Sequence, residues 1–319
     1  MGKYVILLLS LVQLGLSSCR FEEDSEFIPS TEICFFLFQE NGEVSLASIS
    51  DSTLRLNIAE SYGAEAVGIH DMAGKENFLW LSLKNQQAIS QYNLKTDEQQ
   101  LFSLDSMEAV FLCPGEDILL ISDTVNRQLG FLNMKSGELV RKKLNHQPGE
   151  AYYRSGKFFV SFDSTILASY QETAFALLDT LDCVYPIIHI DGDNRIGIRL
   201  HMREGSEYFE GQLDWNNSQW IEPSSSSPYR ITHYTPYQRS FFEKEWAADV
   251  RVFVEGRIRG ISATSGILDL EMDFLESRGY FLRENDFQVY DLEEGEIRSF
   301  QRPAEHLRKS FFYYPVGGR

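Results

Sequence analysis

The strongest constraint on this chain is an internal repeat with a period of 40 residues. Laid without a gap, Glu76–Leu104 (ENFLWLSLKNQQAISQYNLKTDEQQLFSL) matches Glu116–Leu144 (EDILLISDTVNRQLGFLNMKSGELVRKKL). In each copy an apolar run, Phe78–Leu81 or Ile118–Ile121, leads through a polar loop to a second, Ala88–Leu94 or Leu129–Met134. A turn follows, Lys95-Thr96-Asp97 or Lys135-Ser136-Gly137, and a last short run ends at Leu104 or Leu144. Apolar runs this short between turn residues read as strands rather than helices. One such unit cannot bury its own faces, whereas stacked copies can.

A strand repeat of this period predicts an all-β chain, a β-propeller of four-stranded blades. The first strands of the second to fifth units are expected at Ala66–His70, Ala109–Cys113, Ala151–Arg154 and Tyr185–Ile190. In the sixth unit Pro236–Trp246 lacks clean alternation and reads as a short helix or a long loop. The two ends complement each other. Three strands, Glu32–Phe38, Glu43–Ile49 and Thr53–Ile58, precede the second unit, and one stray strand, Ser310–Val316, follows the seventh. A C-terminal strand that completes the first blade closes the ring and removes exposed sheet edges. This count favours seven blades. Six is the alternative, if the irregular sixth unit is an elaboration of its neighbours.

The 319 residues are 43% hydrophobic and 24% charged, a balance that predicts a packed core. Formal net charge is −18, so nucleic acid and anionic lipid head groups are poor partners. Residues 1–18 read as a signal peptide, with Lys3 before the short apolar stretch Tyr4–Leu16. The following Leu16-Ser17-Ser18-Cys19 resembles a bacterial lipobox, which implies cleavage before Cys19 and a lipid anchor on its sulfur. Residues 19–31 form an acidic segment, Arg20-Phe21-Glu22-Glu23-Asp24-Ser25-Glu26 within it. It reads either as a solvated linker or as the acidic tether that directs some lipoproteins of the Bacteroidota to the cell surface. The expected product is an outer-membrane lipoprotein, periplasmic or surface-exposed, with residues 32–319 as one propeller domain. Cys34, Cys113 and Cys183 sit in apolar runs without metal-ligand spacing and read as buried hydrophobes.

Two short motifs carry a family resemblance. Asp123-Thr124-Val125-Asn126-Arg127 resembles the D-x-x-N-R segment of NHL-type blades, and the stretch through Lys135–Leu139 resembles the YVTN repeat. In both, a second strand ends in an Asp that can fix the next loop through backbone N–H groups. Gln147-Pro148-Gly149-Glu150 is similar to the G-P-G-E turn of six-bladed propeller lipoproteins of the Bacteroidota. That resemblance implies six blades, against the strand count.

In a propeller the loops joining consecutive blades share a face with the loops joining second and third strands, around the channel mouth. Glu65, Glu108 and Glu150 each stand immediately before a first strand, and each is followed by Ala. They form either an acidic ring at that mouth or a repeated turn residue. Asn126, Arg127 and Arg203 belong to loops on the same face, as do Tyr229 and Arg230. His70, His189 and His233 are expected at the far ends of their strands, near the opposite mouth. No G-x-S-x-G, H-E-x-x-H or phosphate-loop motif is present, and no cofactor or resident metal is called for. The expected function is an anchored binding or scaffold module for a protein or a polar ligand, carbohydrates included. The alternative is a propeller enzyme, a lactonase, lyase or glycosidase, with its site at the mouth.

Overall fold

The computed structural model describes residues 69–84, 86–190 and 198–213 in full, and elsewhere the backbone of the strands. Among the described residues there is no helix. The strands pair antiparallel within sheets, most of them of four strands, which are numbered here in chain order. Sheet 2 comprises Ile69–Lys75, Phe78–Leu83, Ala88–Asn93 and Gln99–Ser103. Sheet 3 comprises Phe111–Pro114, Ile118–Asp123, Gln128–Asn133 and Leu139–Lys143. Sheet 4 comprises Pro148–Arg154, Lys157–Phe162, Ile166–Gln171 and Leu177–Asp182. Sheet 5 comprises Ile187–Asp193, Gly197–Glu204, Glu207–Asp214 and Gln219–Ile221, with Ser226–Ser227 against its third strand.

Backbone pairing also defines sheet 7, from Ile267–Asp273 to Ile297–Gln301, and sheet 1, where His306–Tyr313 lies beside Ile33–Glu40. Sheet 6 runs Arg230–Tyr234, Ser240–Glu243, Val250–Val254 and Arg257–Ile261. Its second strand falls inside the segment expected to be helix or loop. Four residues, Ser240-Phe241-Phe242-Glu243, are too few to display a period of two, so the sequence hides the strand.

First strands of consecutive sheets are neighbours. Ile69–Lys75 lies against Phe111–Pro114, which lies against Pro148–Arg154, which lies against Ile187–Asp193. In sheets 2 to 4 the middle strands are buried on both faces, and their side chains alternate between two cores. Leu119 and Ile121 join Trp80, Ile89 and Leu104 in the core between sheets 2 and 3. Ile118 and Leu120 join Phe158, Val160 and Tyr170 in the core between sheets 3 and 4. Phe159 turns the other way, onto Ile198 and Leu200 of sheet 5. Each fully buried large side chain contributes about 1.5–3 kcal/mol. Double-sided burial explains why these strands read as continuous apolar runs rather than alternating ones. The last strands of sheets 2 to 4 face water: in Gln99–Ser103 only Phe102 is buried.

The 40-residue period is visible bond by bond. Asn93 Oδ1 accepts from the Lys95 and Thr96 amides, and Asn133 Oδ1 accepts from the Lys135 and Ser136 amides. The Leu104 amide donates to Gln87 and the Leu144 amide to Arg127, both at 2.9 Å. Gln87 and Arg127 share a positive φ, 47° and 53°. The repeat thus encodes the outer hairpin of sheets 2 and 3.

Candidate functional site

The inner strands are less regular. The register between first and second strands shifts between Ile69 and Met72, between Pro148 and Ala151, and between Ile187 and His189. A bulge re-aims the side chains beside it. Here it governs His70, Glu150 and His189.

These side chains meet across neighbouring sheets. His70 Nε2 lies 3.0 Å from Glu108 Oε1. His189 Nδ1 lies 2.8 Å from Glu150 Oε1, and Glu150 Oε2 also accepts the Ile190 amide at 3.2 Å. This corrects the placement of His70 and His189 near the opposite mouth. The first strands begin three residues later or earlier than their apolar runs suggest, at Ile69 and at Pro148, so histidine and glutamate stand at one level. Behind His189 the ring of His201, 4% exposed, lies 5.5 Å away between centroids.

Glu150 and His189 line a cavity of about 530 Å³ on the face formed by the inter-sheet loops and the loops joining second to third strands. Sheet 3 supplies Phe111 and Thr124 to its wall, and sheet 4 supplies Gly149, Ser161 and Asp163. A Cβ on Gly149 would stand 2.6 Å from Ser161 Oγ, so the bulged start of the strand at Pro148-Gly149-Glu150, expected to be a turn, needs a residue without a side chain to lie this close. Asp163 Oδ1 accepts the Gln147 amide at 2.8 Å, and Asp163 Oδ2 lies 2.6 Å from His146 Nδ1. The Gln147 amide, with His146 beside it, holds the Asp163 carboxyl below its ordinary range.

Asp123 occupies the equivalent position 40 residues earlier and does a different job. It is 0% exposed. Its oxygens accept the Glu108 and Asn126 amides and the side-chain amides of Asn126 and Gln128, at 2.8–2.9 Å. Burial pushes its carboxyl up, but these donors outweigh burial and hold it below its ordinary value. The loop-fixing role expected of an Asp closing the second strand is thus filled by Asp123.

The other expected site residues fall as follows. Glu108 and Glu150 point at imidazoles, with side chains 32% and 34% exposed, and neither carboxylate faces open solvent alone. Asn126 turns back onto Asp123. Arg127 is exposed on its loop, and its charge reaches Asp163. Arg203 folds along its own hairpin, donating from Nε to Gly205 O at 2.7 Å with its guanidinium over Tyr208, and does not line the cavity. Glu65, Tyr229 and the side chain of Arg230 lie outside the described residues. Among the described residues no group of three or more His, Cys, Asp or Glu is placed to hold a metal. Cys113 and Cys183 are free and buried, and burial pushes the Cys183 thiol up to about 11. Sequence reasoning missed Asp163, although its place 40 residues after Asp123 was a usable signal.

No known protein family matches the chain, and no curated protein matches it. Solved structures do resemble it. The β-propeller domain of Myceliophteria thermophila Cps50 (Swd1) superposes with a TM-score of 0.56 at 9% identity, over 78% of this chain and 93% of that one. The computationally designed Ika8 protein gives 0.60 at 11% identity, over 88% and 90%. The dihydro-heme d1 dehydrogenase NirN gives 0.60 at 9% identity, over 88% and 74%. At such identities the likeness concerns the fold. Together with the stacked four-stranded antiparallel sheets, it makes this chain a β-propeller protein.

Proposed function

We propose that this propeller is a membrane-anchored extracytoplasmic binding module whose ligand enters the mouth at Glu150, Asp163 and His189. The observation that carries the reading is the cavity of about 530 Å³, large enough for a small ligand or a protruding side chain, with polar groups converging from three sheets. A plain structural rim has no need of a concavity lined by carboxylates, hydroxyls and an imidazole. The ligand is a protein or a polar molecule, carbohydrates included. A ligand-observed NMR screen of the full chain in detergent micelles tests this. Ligands should compete with one another and be lost when Thr124→Trp fills the mouth. Binders indifferent to that substitution would move the function elsewhere.

The anchor belongs to the same proposal. The Leu16-Ser17-Ser18-Cys19 sequence supports acylation of Cys19 after removal of residues 1–18, on the outer membrane of a bacterial envelope. Mass spectrometry of the native N-terminus should find a lipidated Cys19; an unmodified cysteine ends the anchor reading. The ring itself is proposed to have seven blades, closed by the C-terminal strand. Support comes from His306–Tyr313, which pairs with Ile33–Glu40 and neighbours the first strands of sheets 2 and 7. Removal of residues 309–319 should then cost several kcal/mol, on the order of two or three buried apolar side chains.

A further inference from the structure

If the mouth is the binding site, its lining also selects the charge of what enters. Glu150 and Asp163 both line the cavity, and among the described residues that line it there is neither Lys nor Arg. A carboxylate has about four acceptor positions. Glu150 turns both oxygens to His189 and one of them also to the Ile190 amide, and Asp163 spends its own on the Gln147 amide and His146. Each therefore keeps acceptor capacity. Their side chains are 34% and 46% exposed, so that capacity is accessible from the cavity side. The Thr124 hydroxyl adds another acceptor, and Phe111 adds a half-buried aromatic wall of the kind that favours cations. The whole chain carries a net charge of −18, which draws cations toward a concave acidic mouth and repels anions from it.

We infer that the mouth takes a cationic group, an alkylammonium or a guanidinium, held by Glu150 and Asp163. The inference rests on the binding-mouth reading and narrows it: uronates, phosphates and sulfated glycans are excluded, and neutral sugars become secondary. The charge of Arg127 reaches Asp163 from outside the lining, so it competes with the ligand rather than recruiting it. The cation is either a small free molecule or a basic side chain of a protein partner; the recognising chemistry is the same.

The test is a titration of the full chain in detergent micelles, followed by NMR of the His189 ring. The probes are methylguanidinium, N-acetyl-arginine amide, N-acetyl-citrulline amide and methyl glucoside. N-acetyl-arginine amide should bind saturably, and its uncharged isostere N-acetyl-citrulline amide at least tenfold more weakly. Glu150→Gln should weaken binding at least tenfold. Thr124→Lys should do the same while leaving both carboxylates and their partners intact, which guards against a variant that merely misfolds. Arg127→Ala should tighten binding severalfold. Equal binding of methylguanidinium points to a free cation, and binding of the peptide form alone points to a protein side chain. Citrulline or glucoside binding as tightly as arginine, and lost in Thr124→Trp, overturns the cation inference but keeps the mouth. No probe sensitive to Thr124→Trp overturns both.

Discussion

The seam between sheets 3 and 4 ends in carboxylates on both faces of the propeller, and the two ends use them differently. At the mouth, Glu150 and Asp163 are about one-third to one-half exposed and stand over a cavity. At the opposite face Glu172, 5% exposed, reaches from sheet 4 into the first turn of sheet 3. Its Oε1 accepts the Glu116, Asp117 and Ile118 amides at 2.7, 2.9 and 3.1 Å, and its Oε2 accepts the Tyr153 hydroxyl at 2.5 Å. Gly115 lies so close that a Cβ there would meet Phe158 Cζ at 2.5 Å and Glu172 Oε1 at 2.6 Å. One end is a saturated fastener with no room left. The other keeps spare acceptors and open space. Saturation and burial, not residue type, separate the two, and residue counts in a sequence show neither.

The sharpest way to break the comparison is to remove each carboxylate in turn and measure stability by chemical denaturation. Glu172→Ala should cost about 3–5 kcal/mol, because three amides, that of Ile118 buried and those of Glu116 and Asp117 part-buried, lose their acceptor and the Tyr153 hydroxyl is orphaned. A loss under half that would mean that water replaces the carboxylate and the fastener is dispensable. Gly115→Ala attacks the same end sterically and should cost about 2 kcal/mol, because the Cβ must displace the Phe158 ring or the Glu172 carboxylate.

Asp123 extends the comparison to pH. Its folded carboxyl lies below the ordinary value of 3.8, so its contribution is complete above that value. It is lost as pH falls through the lower, folded value. Asp123→Asn should therefore destabilise the protein by about 1–3 kcal/mol at pH 7 and by progressively less in acid. A gap between the two proteins that stays constant from pH 7 to pH 3 would refute this. The smallest effect is expected at the mouth. Glu150→Gln keeps an acceptor for the Ile190 amide and should change stability by less than about 1 kcal/mol, while ligand binding falls. A stability loss as large as that of Glu172→Ala would make Glu150 a second fastener and erase the distinction.

The outer parts of each sheet were legible in the sequence. Phe78–Leu83 and Lys157–Phe162 form as the apolar runs suggest, because middle strands buried on both faces leave long hydrophobic signatures. The inner strands were not. Ile69–Lys75 carries His70, Asp71 and Gly74, and its bulge breaks the period of two, so the strand was expected to end where it in fact begins. That displacement also hid the meeting of His70 with Glu108 and of His189 with Glu150. Of the glutamates expected on one face, Glu150 lines the cavity from within its strand, whereas Glu108 meets His70 and is not part of the lining. The rest of the mouth was not legible, since the direction of Arg203 and the saturation of Asp123 depend on contacts from other loops.

The fasteners between sheets also set an order of assembly. Lys75 Nζ donates to Gly115 O, 40 residues ahead, and the Leu112 amide donates to Asp71, 41 residues behind it. The Glu116 amide waits for Glu172, 56 residues later. Sheet 3 leaving the ribosome therefore carries bare amides that sheet 4 must cover. Sheet 3 is thus finished by sheet 4, and its folding during synthesis should trail translation by about one repeat. Consecutive sheets that complete one another in this way melt together rather than piecemeal.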